Sequence, residues 1–300
     1  MKEPIYSTIT CIPGSKEKLA REHGYHNEIC EDTAASAINY ILQYGLKPMI
    51  LRGMVICGNF NYEKLYQMAQ TLQRCCKEND VMFAGMEIGA QPVNFDVDTY
   101  HLNVTVSGVA DSCNYLDRKY IQEGDILIGI ETSGMDGVNY PMLKVMMDRK
   151  PELIHTKVEG DTSLLDLLLK PNRIYTKAAE ALQEYHCVRA LYRVNNHLFN
   201  EKLWRDLPDG LSANIELSAL PIRPLYQFLH DQDMVGEKVF QYHFHMGVGM
   251  IAVVPKECAD QAMELIGRTE NCWRIGRIVK NEGENGKAWK SLETGELKWK

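Results

Sequence analysis

The chain has 300 residues, of which 45% are hydrophobic and 24% are charged, as in an ordinary globular protein. Asp and Glu number 40 against 33 Lys and Arg, and the net charge of -7 argues against a dedicated nucleic-acid-binding protein, which needs a basic face. No apolar run approaches the roughly 18 residues of a membrane helix. Neither nucleic acid nor a membrane is therefore expected as a partner.

The cysteines and the first residues of the chain bear on its compartment. The nine cysteines form no C-x-x-C pair, and the stretch Met1–Thr10 contains no apolar signal-peptide core. Both features predict a cytoplasmic protein whose thiols are reduced and mostly buried.

Strand and helix patterns alternate along the first part of the chain. Runs of β-branched residues predict strands, apolar residues at helical spacing predict helices, and Gly45, Gly58 and Gly85 mark ends. The predicted elements are a strand at 5–10, a helix at 32–44, a strand at 49–57, a helix at 62–77, and strands at 81–84, 101–110 and 126–130.

The second half repeats this alternation, which predicts an α/β fold of layered (α+β) type. We expect an N-terminal domain at 1–133, a C-terminal domain at 134–280 and a loosely held polar tail at 281–300, because a strand runs into a glycine-rich turn near 133. The predicted elements are helices at 162–169, 175–185, 224–230 and 257–266, and strands at 213–217, 244–254 and 273–279.

Four groups of short motifs occur in an order and spacing that is more specific than any one of them. Together they resemble aminoimidazole ribonucleotide synthetase, also called phosphoribosylformylglycinamidine cyclo-ligase, over nearly the whole chain. They are G-D-I-L-I-G at 124–129 with T-S-G at 132–134, K-P-N-R-I-Y at 170–175, L-P-D-G-L at 207–211 with A-N-I at 213–215, and H-M-G-V-G-M at 245–250 with I-G-R-I-V at 275–279.

The resemblance implies a fold and a reaction. The family has two α/β domains and pairs as a homodimer whose N-terminal strands form a barrel. It uses ATP and Mg²⁺ to activate the formyl amide oxygen of formylglycinamidine ribonucleotide, and ring closure then expels phosphate and gives aminoimidazole ribonucleotide. The superfamily includes other ATP users, among them thiamine monophosphate kinase. ATP-dependent chemistry of this kind depends on positioning and on stabilising negative charge.

The resemblance also assigns site residues. The family's T-D-G-V-G-T-K loop corresponds to 10–16, and its G-I-D-L-V-A, V-N-D and G-G-E-T segments correspond to 30–35, 38–40 and 85–88. Glycines let backbone N–H groups approach phosphate, and carboxylates are ligands for Mg²⁺. By resemblance, the cofactor-binding residues are Gly14, Ser15, Lys16 and Asn39, the metal ligands are Asp32 and Glu87, and the substrate-binding residues are Ser133 and Asn139.

Each of these residues also has a plain structural interpretation. Lys16 is equally explained as a surface lysine, Asp32 as a charge near a helix N-terminus, and Glu87 as a solvated carboxylate. Ser133 and Asn139 are also typical of a turn. Gly247 and Gly249 fit close backbone packing in a strand.

The chain departs from the family at several acidic and glycine positions. Cys11, Tyr40 and Gly53 stand where the family has Asp, and Asn195–Asn196 fall in a loop where the family has three glycines. One hypothesis is a cyclo-ligase with a partly eroded site that acts on a purine-precursor nucleotide. The alternative is a catalytically impaired homologue that binds a nucleotide or phosphate as a dimer. A kinase-like relative with another acceptor stays open.

Some further side-chain pairs were weighed for chemistry. His243 and His245 lie two apart in a predicted strand, but no second pair stands at zinc-ligand spacing, so histidines with ordinary hydrogen-bond partners are favoured. Cys11 with His23 or His26 is a weak thiol-nucleophile hypothesis. Asp96 and Asp98 are better explained as solvated loop residues.

The strand predicted at 49–57 indicates a homodimer. Its apolar residues alternate little with polar ones, as in a strand buried on both faces. In the resembling family a second subunit covers one of those faces. The alternative is a monomer whose sheet is covered by its own helices.

Overall fold

The computed structural model describes residues 3–135, 140–194, 204–233, 236, 243–281 and 291–299. The chain forms two compact units, each built from a β-sheet and helices, which confirms the predicted α/β class. The first unit comprises residues 1–115, 134–141 and 168–176, and the second comprises 116–133, 142–167 and 177–300. The predicted division at 133 stays a prediction about domains, although the segment 116–133 groups with the second unit.

A mixed four-stranded sheet forms the first unit, in the order β1-β4-β2-β3. Only the β2–β3 pair is parallel. Two long helices are well formed, and Asn61 caps the second by accepting from the backbone N–H of Lys64. The elements are β1 (Pro4–Cys11), α1 (Lys16–Glu22), α2 (His26–Leu42), β2 (Lys47–Cys57), α3 (Tyr62–Glu78), β3 (Met82–Ala90) and β4 (Tyr100–Asp111).

Helices α2 and α3 cover one face of this sheet. The β2 residues Leu51 and Val55 are fully buried on that face, whereas Ile50 and Met54 point the other way and are 39% and 41% exposed. Burial therefore alternates along β2 within one chain, and the prediction of a strand covered on both faces is not met by the chain alone. We call the side away from the helices the outer face of the four-stranded sheet.

A six-stranded sheet forms the second unit, in the order β12-β9-β11-β5-β10-β8. Strands β5 and β10 lie inside it and are almost wholly apolar, as expected for central strands. The elements from 126 onward are β5 (Ile126–Glu131), α4 (Tyr140–Arg149), β6 (Lys157–Glu159), β7 (Thr162–Ser163), α5 (Leu164–Leu169), α6 (Thr176–Glu184), β8 (Ala190–Arg193), β9 (Leu211–Glu216), α7 (Pro224–Asp231), β10 (Val248–Val254), α8 (Ala259–Gly267), β11 (Cys272–Lys280) and β12 (Ser291–Thr294).

Four sequence predictions are corrected by the backbone. Gly85 does not end its strand; with φ at +90° it forms an irregularity, and β3 continues to Ala90. The strand predicted from 244 begins only at Val248, because Met246 and Gly247 turn with positive φ. The helix predicted from 162 begins at Leu164, after a two-residue strand. The tail is not wholly loose, since β12 pairs with β9 in parallel.

The nine cysteines are present as thiols, and five of them are buried. Within the ranges that the structure describes, no helix has both the length and the apolar character that spanning a bilayer requires.

Candidate functional site

The side chain of Lys16 is buried in the first unit, at the start of α1. It is 0% exposed, so the surface-lysine interpretation is wrong. Its Nζ donates to Asp32 Oδ1 at 2.9 Å, to the Met135 carbonyl at 3.1 Å and to the Lys170 carbonyl at 3.3 Å. An ammonium group has three hydrogens, and these three acceptors account for all of them. A phosphate can reach Lys16 only if one of these bonds is released.

Asp32 lies on α2 and joins two segments that are distant in sequence. Its Oδ1 accepts from Lys16 and also from the backbone N–H of Asn172 at 2.9 Å. Burying a carboxylate is costly unless a charge and hydrogen bonds compensate it. The interactions of Asp32 described here are therefore those of a buried ion pair.

Asn39, two turns further along α2, holds the same segment at its other end. Its Nδ2 donates to the Arg173 carbonyl at 2.8 Å, and its Oδ1 accepts from the Tyr175 N–H at 3.1 Å. The K-P-N-R-I-Y motif is thus fastened to α2 by one aspartate and one asparagine. We call Lys16, Asp32, Asn39 and the backbone of 170–175 the polar hub.

Gly14 and Ser15 form the turn between β1 and α1. Gly14 has φ at +64°, which favours glycine, and its carbonyl accepts from the Glu17 N–H at 3.2 Å. Both residues are exposed, and the Ser15 side chain makes no capping hydrogen bond. The structure therefore brings Lys16, Asp32 and Asn39 together in the hub, while Gly14 and Ser15 lie at the surface beside it.

The positions that depart from the family have taken other roles. An added Cβ at Gly53 would lie 2.7 Å from Leu72 Cδ1 and 3.0 Å from Met86 Cγ, so the helix-covered side of β2 has no room for a side chain there. Tyr40 packs edge-on against Tyr44, with ring centroids 5.5 Å apart. Cys11 ends β1 opposite Val104.

Glu87 lies on β3 and is paired with a cation. Its carboxylate accepts from Arg52 on the neighbouring strand, and both side chains are more than half exposed. Arg52 alternates with the buried Leu51 and Gly53, so this ion pair lies on the outer face of the sheet. Asp32 belongs to α2, which packs against the other face.

A shared metal site formed by Asp32 and Glu87 does not fit this arrangement. The two carboxylates are engaged by different cations and belong to elements on opposite sides of the four-stranded sheet. Across the described parts of the chain, no three His, Cys, Asp or Glu residues cluster as metal ligands. A hard cation such as Mg²⁺ needs several oxygen ligands, and two separated, charge-paired carboxylates do not provide them.

The two predicted substrate residues cannot both be placed. Ser133 is half-buried and follows β5, while Asn139 lies outside the described residues. Asn195 and Asn196, where the family has glycines, also lie outside them.

The histidines considered for chemistry have ordinary partners. His245 is buried, with its ring nitrogens 3.3 and 3.4 Å from Tyr226 Oη, whereas His243 is exposed. His26 Nδ1 lies 2.9 Å from Tyr100 Oη, and burial is the largest cause that lowers the pKa of His26 to about 4. Neither arrangement is a zinc site or an activated thiol.

Sequence reasoning missed the contribution of backbone groups to the hub. The carbonyls of Met135 and Lys170 and the N–H of Asn172 surround the ion pair, and Gly134 allows the approach of these segments. An added Cβ at Gly134 would lie 2.1 Å from the Lys170 carbonyl oxygen. The T-S-G and K-P-N-R-I-Y motifs were recognised as signals, but nothing in them indicated that they meet.

The fold belongs to a class seen in several solved structures. Thiamine monophosphate kinase from Aquifex aeolicus matches 99% of this chain and 90% of its own, with a TM-score of 0.67 and 13% identity. The hydrogenase maturation protein HypE of E. coli matches 98% of this chain and 82% of its own, with a TM-score of 0.64 and 16% identity. At these identities the likeness establishes the fold alone.

Sequence comparison gives the family. A model described as AIR synthase related protein, C-terminal domain, matches residues 122–288. The phosphoribosylformylglycinamidine cyclo-ligase of Streptococcus thermophilus is 31% identical over 285 residues, covering 94% of this chain and 83% of that protein. The enzyme of the same name from Bifidobacterium animalis subsp. lactis is 27% identical, with the same two coverages. The chain therefore belongs to the AIR synthase related family, as its motifs indicated.

Proposed function

We propose that the protein is an ATP-dependent cyclo-ligase of purine biosynthesis that acts in the cytoplasm. The reaction closes the imidazole ring of formylglycinamidine ribonucleotide and releases ADP and phosphate. The observation that carries this proposal is the 31% identity to a named cyclo-ligase over 94% of the chain, since it extends across both units. A neighbour of the same fold, a thiamine monophosphate kinase, is known in complex with the ATP analogue AMPPCP, which supports ATP as the cofactor.

The proposal assigns Gly14 and Ser15 to the nucleotide and not to the interior. They are exposed at a turn with positive φ, where backbone N–H groups are accessible to a phosphate. Lys16 and Asn39 then position the turn and α2 from inside the hub. Ser133 and Asn139 stay proposed substrate residues on the basis of the family motif.

Mg²⁺ enters this proposal as the MgATP complex. Mg²⁺ usually keeps several waters and binds through substrate phosphates with one or two carboxylates. Asp32 and Glu87 are each engaged by a cation, so we do not assign them a shared Mg²⁺.

A homodimer is the proposed assembly, through the outer face of the four-stranded sheet. Apolar side chains there are exposed in the single chain, including Ile50, Met54 and Met82 at 39%, 41% and 58%. Register pairing places Ile50 beside Met82 across β2 and β3, so these residues form one patch. A second copy would bury this patch, as in the barrel that the family resemblance implies.

The second candidate is an impaired homologue that binds a nucleotide or phosphate. Two observations favour it: all three hydrogens of the Lys16 ammonium are engaged internally, and Gly53 has no room for the family's aspartate. Such a protein would bind ATP without turning it over.

Phosphate release separates the two functions. Purified protein is incubated with ATP, Mg²⁺ and formylglycinamidine ribonucleotide, and phosphate is measured with each nucleotide omitted in turn. Release that needs both supports the cyclo-ligase, at a typical rate of about 1 per second or faster. ATP binding by calorimetry without release supports the impaired homologue, and no binding of ATP at millimolar concentration would contradict both.

A further inference from the structure

Two cysteines of the second unit are brought together by strand pairing. Strands β8 and β10 are antiparallel, with Ala190 opposite Val253. The chain that enters β8 and the chain that leaves β10 therefore meet at the same end of the sheet, where Arg189 N donates to the Val253 carbonyl at 2.8 Å. Cys187 lies just before β8 and Cys258 just after β10.

The two thiols are in direct contact. The side chains of Cys187 and Cys258 are hydrogen-bonded to each other. Cys187 Sγ also lies 3.3 Å from the Oε1 of Gln261, which is one helical turn after Cys258. Both ends of the contact are fixed by backbone hydrogen bonds, from Cys187 N to the Leu182 carbonyl and from Cys258 N to the Pro255 carbonyl, each at 2.9 Å.

The two sulfurs differ in access. Cys187 is 1% exposed, and burial, followed by the hydrogen bond to Cys258, raises the pKa of its thiol to about 11. Cys258 is half-buried and occupies the N-cap position of the nine-residue helix α8, so a small solute can reach it. Of the two, Cys258 is the sulfur that meets an oxidant first.

We propose that Cys187 and Cys258 form an oxidisable pair that a peroxide converts into a disulfide. The Cys258 sulfur attacks one peroxide oxygen, the O–O bond breaks, and the products are a sulfenic acid and water. The Cys187 sulfur, on losing its proton, then attacks the Cys258 sulfur, the S–O bond breaks, and a second water leaves. Two thiols and one hydrogen peroxide thus give one disulfide and two waters.

No other cysteine combines contact and access in this way among those whose neighbours are described. Cys75 and Cys76 are consecutive in α3 and both buried, and Cys113 is exposed with Asn114 as its neighbour. Cys272 is half-buried in the same unit, but its sulfur contacts the thioether of Met263. Cys272 is therefore a matched control.

The test is oxidation of the purified full chain with hydrogen peroxide, followed by blocking of remaining thiols and tryptic digestion without reductant. The peptides 178–189 and 257–268 carry the two cysteines. We expect a cross-linked species lighter by two hydrogens than the two peptides together, which reductant separates. Formation should speed up as the pH is raised from 7 toward 10, because Cys187 reacts as a thiolate.

Variants assign the order of events. In Cys187→Ser, Cys258 should accumulate a sulfenic acid that dimedone traps, whereas in Cys258→Ser the remaining Cys187 should oxidise about tenfold or more slowly. Cys272→Ser should form the cross-link as the wild type does. The proposal is overturned if wild-type Cys258 proceeds to sulfinic acid while Cys187 stays reduced, or if the disulfide joins other cysteines; this readout needs no variant to fold.

Discussion

Lys16 and Asp32 are joined by a salt bridge of 2.9 Å whose two side chains are 0% and 6% exposed. The pair lies where α1 begins and α2 passes, and it also holds backbone groups of the 134–141 and 168–176 segments. Two residues that a motif comparison assigns separately to phosphate and metal are therefore each other's partners. The relation makes definite predictions about stability.

Lys16→Met should lower the free energy of unfolding by roughly 3–5 kcal/mol, because it leaves the Asp32 carboxylate buried without its cation. Urea denaturation measures the change. The double variant Lys16→Met/Asp32→Asn should recover part of the loss, since no charge then stays buried.

The control is Lys18→Met. Lys18 lies 3.7 Å from Glu22 on the exposed side of α1, and such a pair contributes at most about 1 kcal/mol. Equal losses in the Lys16 and Lys18 variants would show that Lys16 is not part of a buried ion pair.

Gly134→Ala should destabilise the protein by roughly 1–3 kcal/mol, because the new methyl group would overlap the Lys170 carbonyl and force the backbone apart. Thermal unfolding provides the measurement. Gly267→Ala is the matched control, since no atom lies within 4 Å of its added Cβ. A Gly134 variant as stable as the control would mean that the two segments separate at no cost.

Met54→Glu should convert the proposed dimer into a monomer, because it would place a charge inside an apolar interface. Sedimentation at micromolar concentration should change from twice the chain mass to 34.3 kDa. Val145→Glu alters an equally exposed apolar residue on α4 and should leave the assembly unchanged. A wild-type mass of one chain would remove the dimer altogether.

Glu87→Gln should leave the Mg²⁺ concentration that supports ATP binding unchanged, because Glu87 is paired with Arg52 and is separated from Asp32 by the sheet. Calorimetric titration with ATP at several Mg²⁺ concentrations measures it. Asp80→Asn, which removes an exposed carboxylate paired with Lys47 at 2.8 Å, is the control. A tenfold weakening of MgATP binding, about 1.4 kcal/mol, confined to the Glu87 variant would restore Glu87 as a metal ligand.

His26 should make the protein less stable in mild acid. Burial, with Lys64 and Arg21 nearby, lowers the pKa of His26 from 6.5 to about 4. Between these values the unfolded chain binds a proton that the folded chain does not, so the free energy of unfolding falls as the pH drops from 6.5 to 4 and is unaffected above.

His26→Gln should flatten this slope by an amount on the order of 1 kcal/mol across the window, the solvent-accessible part of the ring reducing the effect. Urea titrations at pH 7 and pH 4.5 give the comparison. His23→Gln, at an exposed neighbouring position, should keep the wild-type slope. Identical slopes in the wild type and the His26 variant would contradict the lowered pKa.

Local pattern predicted most elements of this chain but not their exact limits. Residues 62–77 carry a clear apolar stripe, and α3 occupies Tyr62–Glu78. Helix α2 begins six residues before its predicted start, because α2 is buried on nearly all sides and its first turn lacks a stripe. The strand predicted at 244 fails because two positive φ angles are a property of the folded backbone.

The site was less predictable than the fold. Family motifs identified Lys16, Asp32 and Asn39 as special, and all three are in the polar hub. Their partners come from 134–141 and 168–176, and no local rule relates residues more than a hundred positions apart. Glu87 was assigned beside Asp32 because the sequence does not reveal which face of a sheet a side chain occupies when the strand contains an irregularity such as Gly85.

Gly53 determines which ancestral states the chain can still reach. An aspartate at this position would collide with Leu72 and Met86, and its carboxylate would enter an apolar contact without a partner. Reversion by one substitution is therefore closed until both neighbours become smaller. The replacement acts as a ratchet, and any attempt to re-engineer the relatives' chemistry must begin with α3 and β3 before it changes β2.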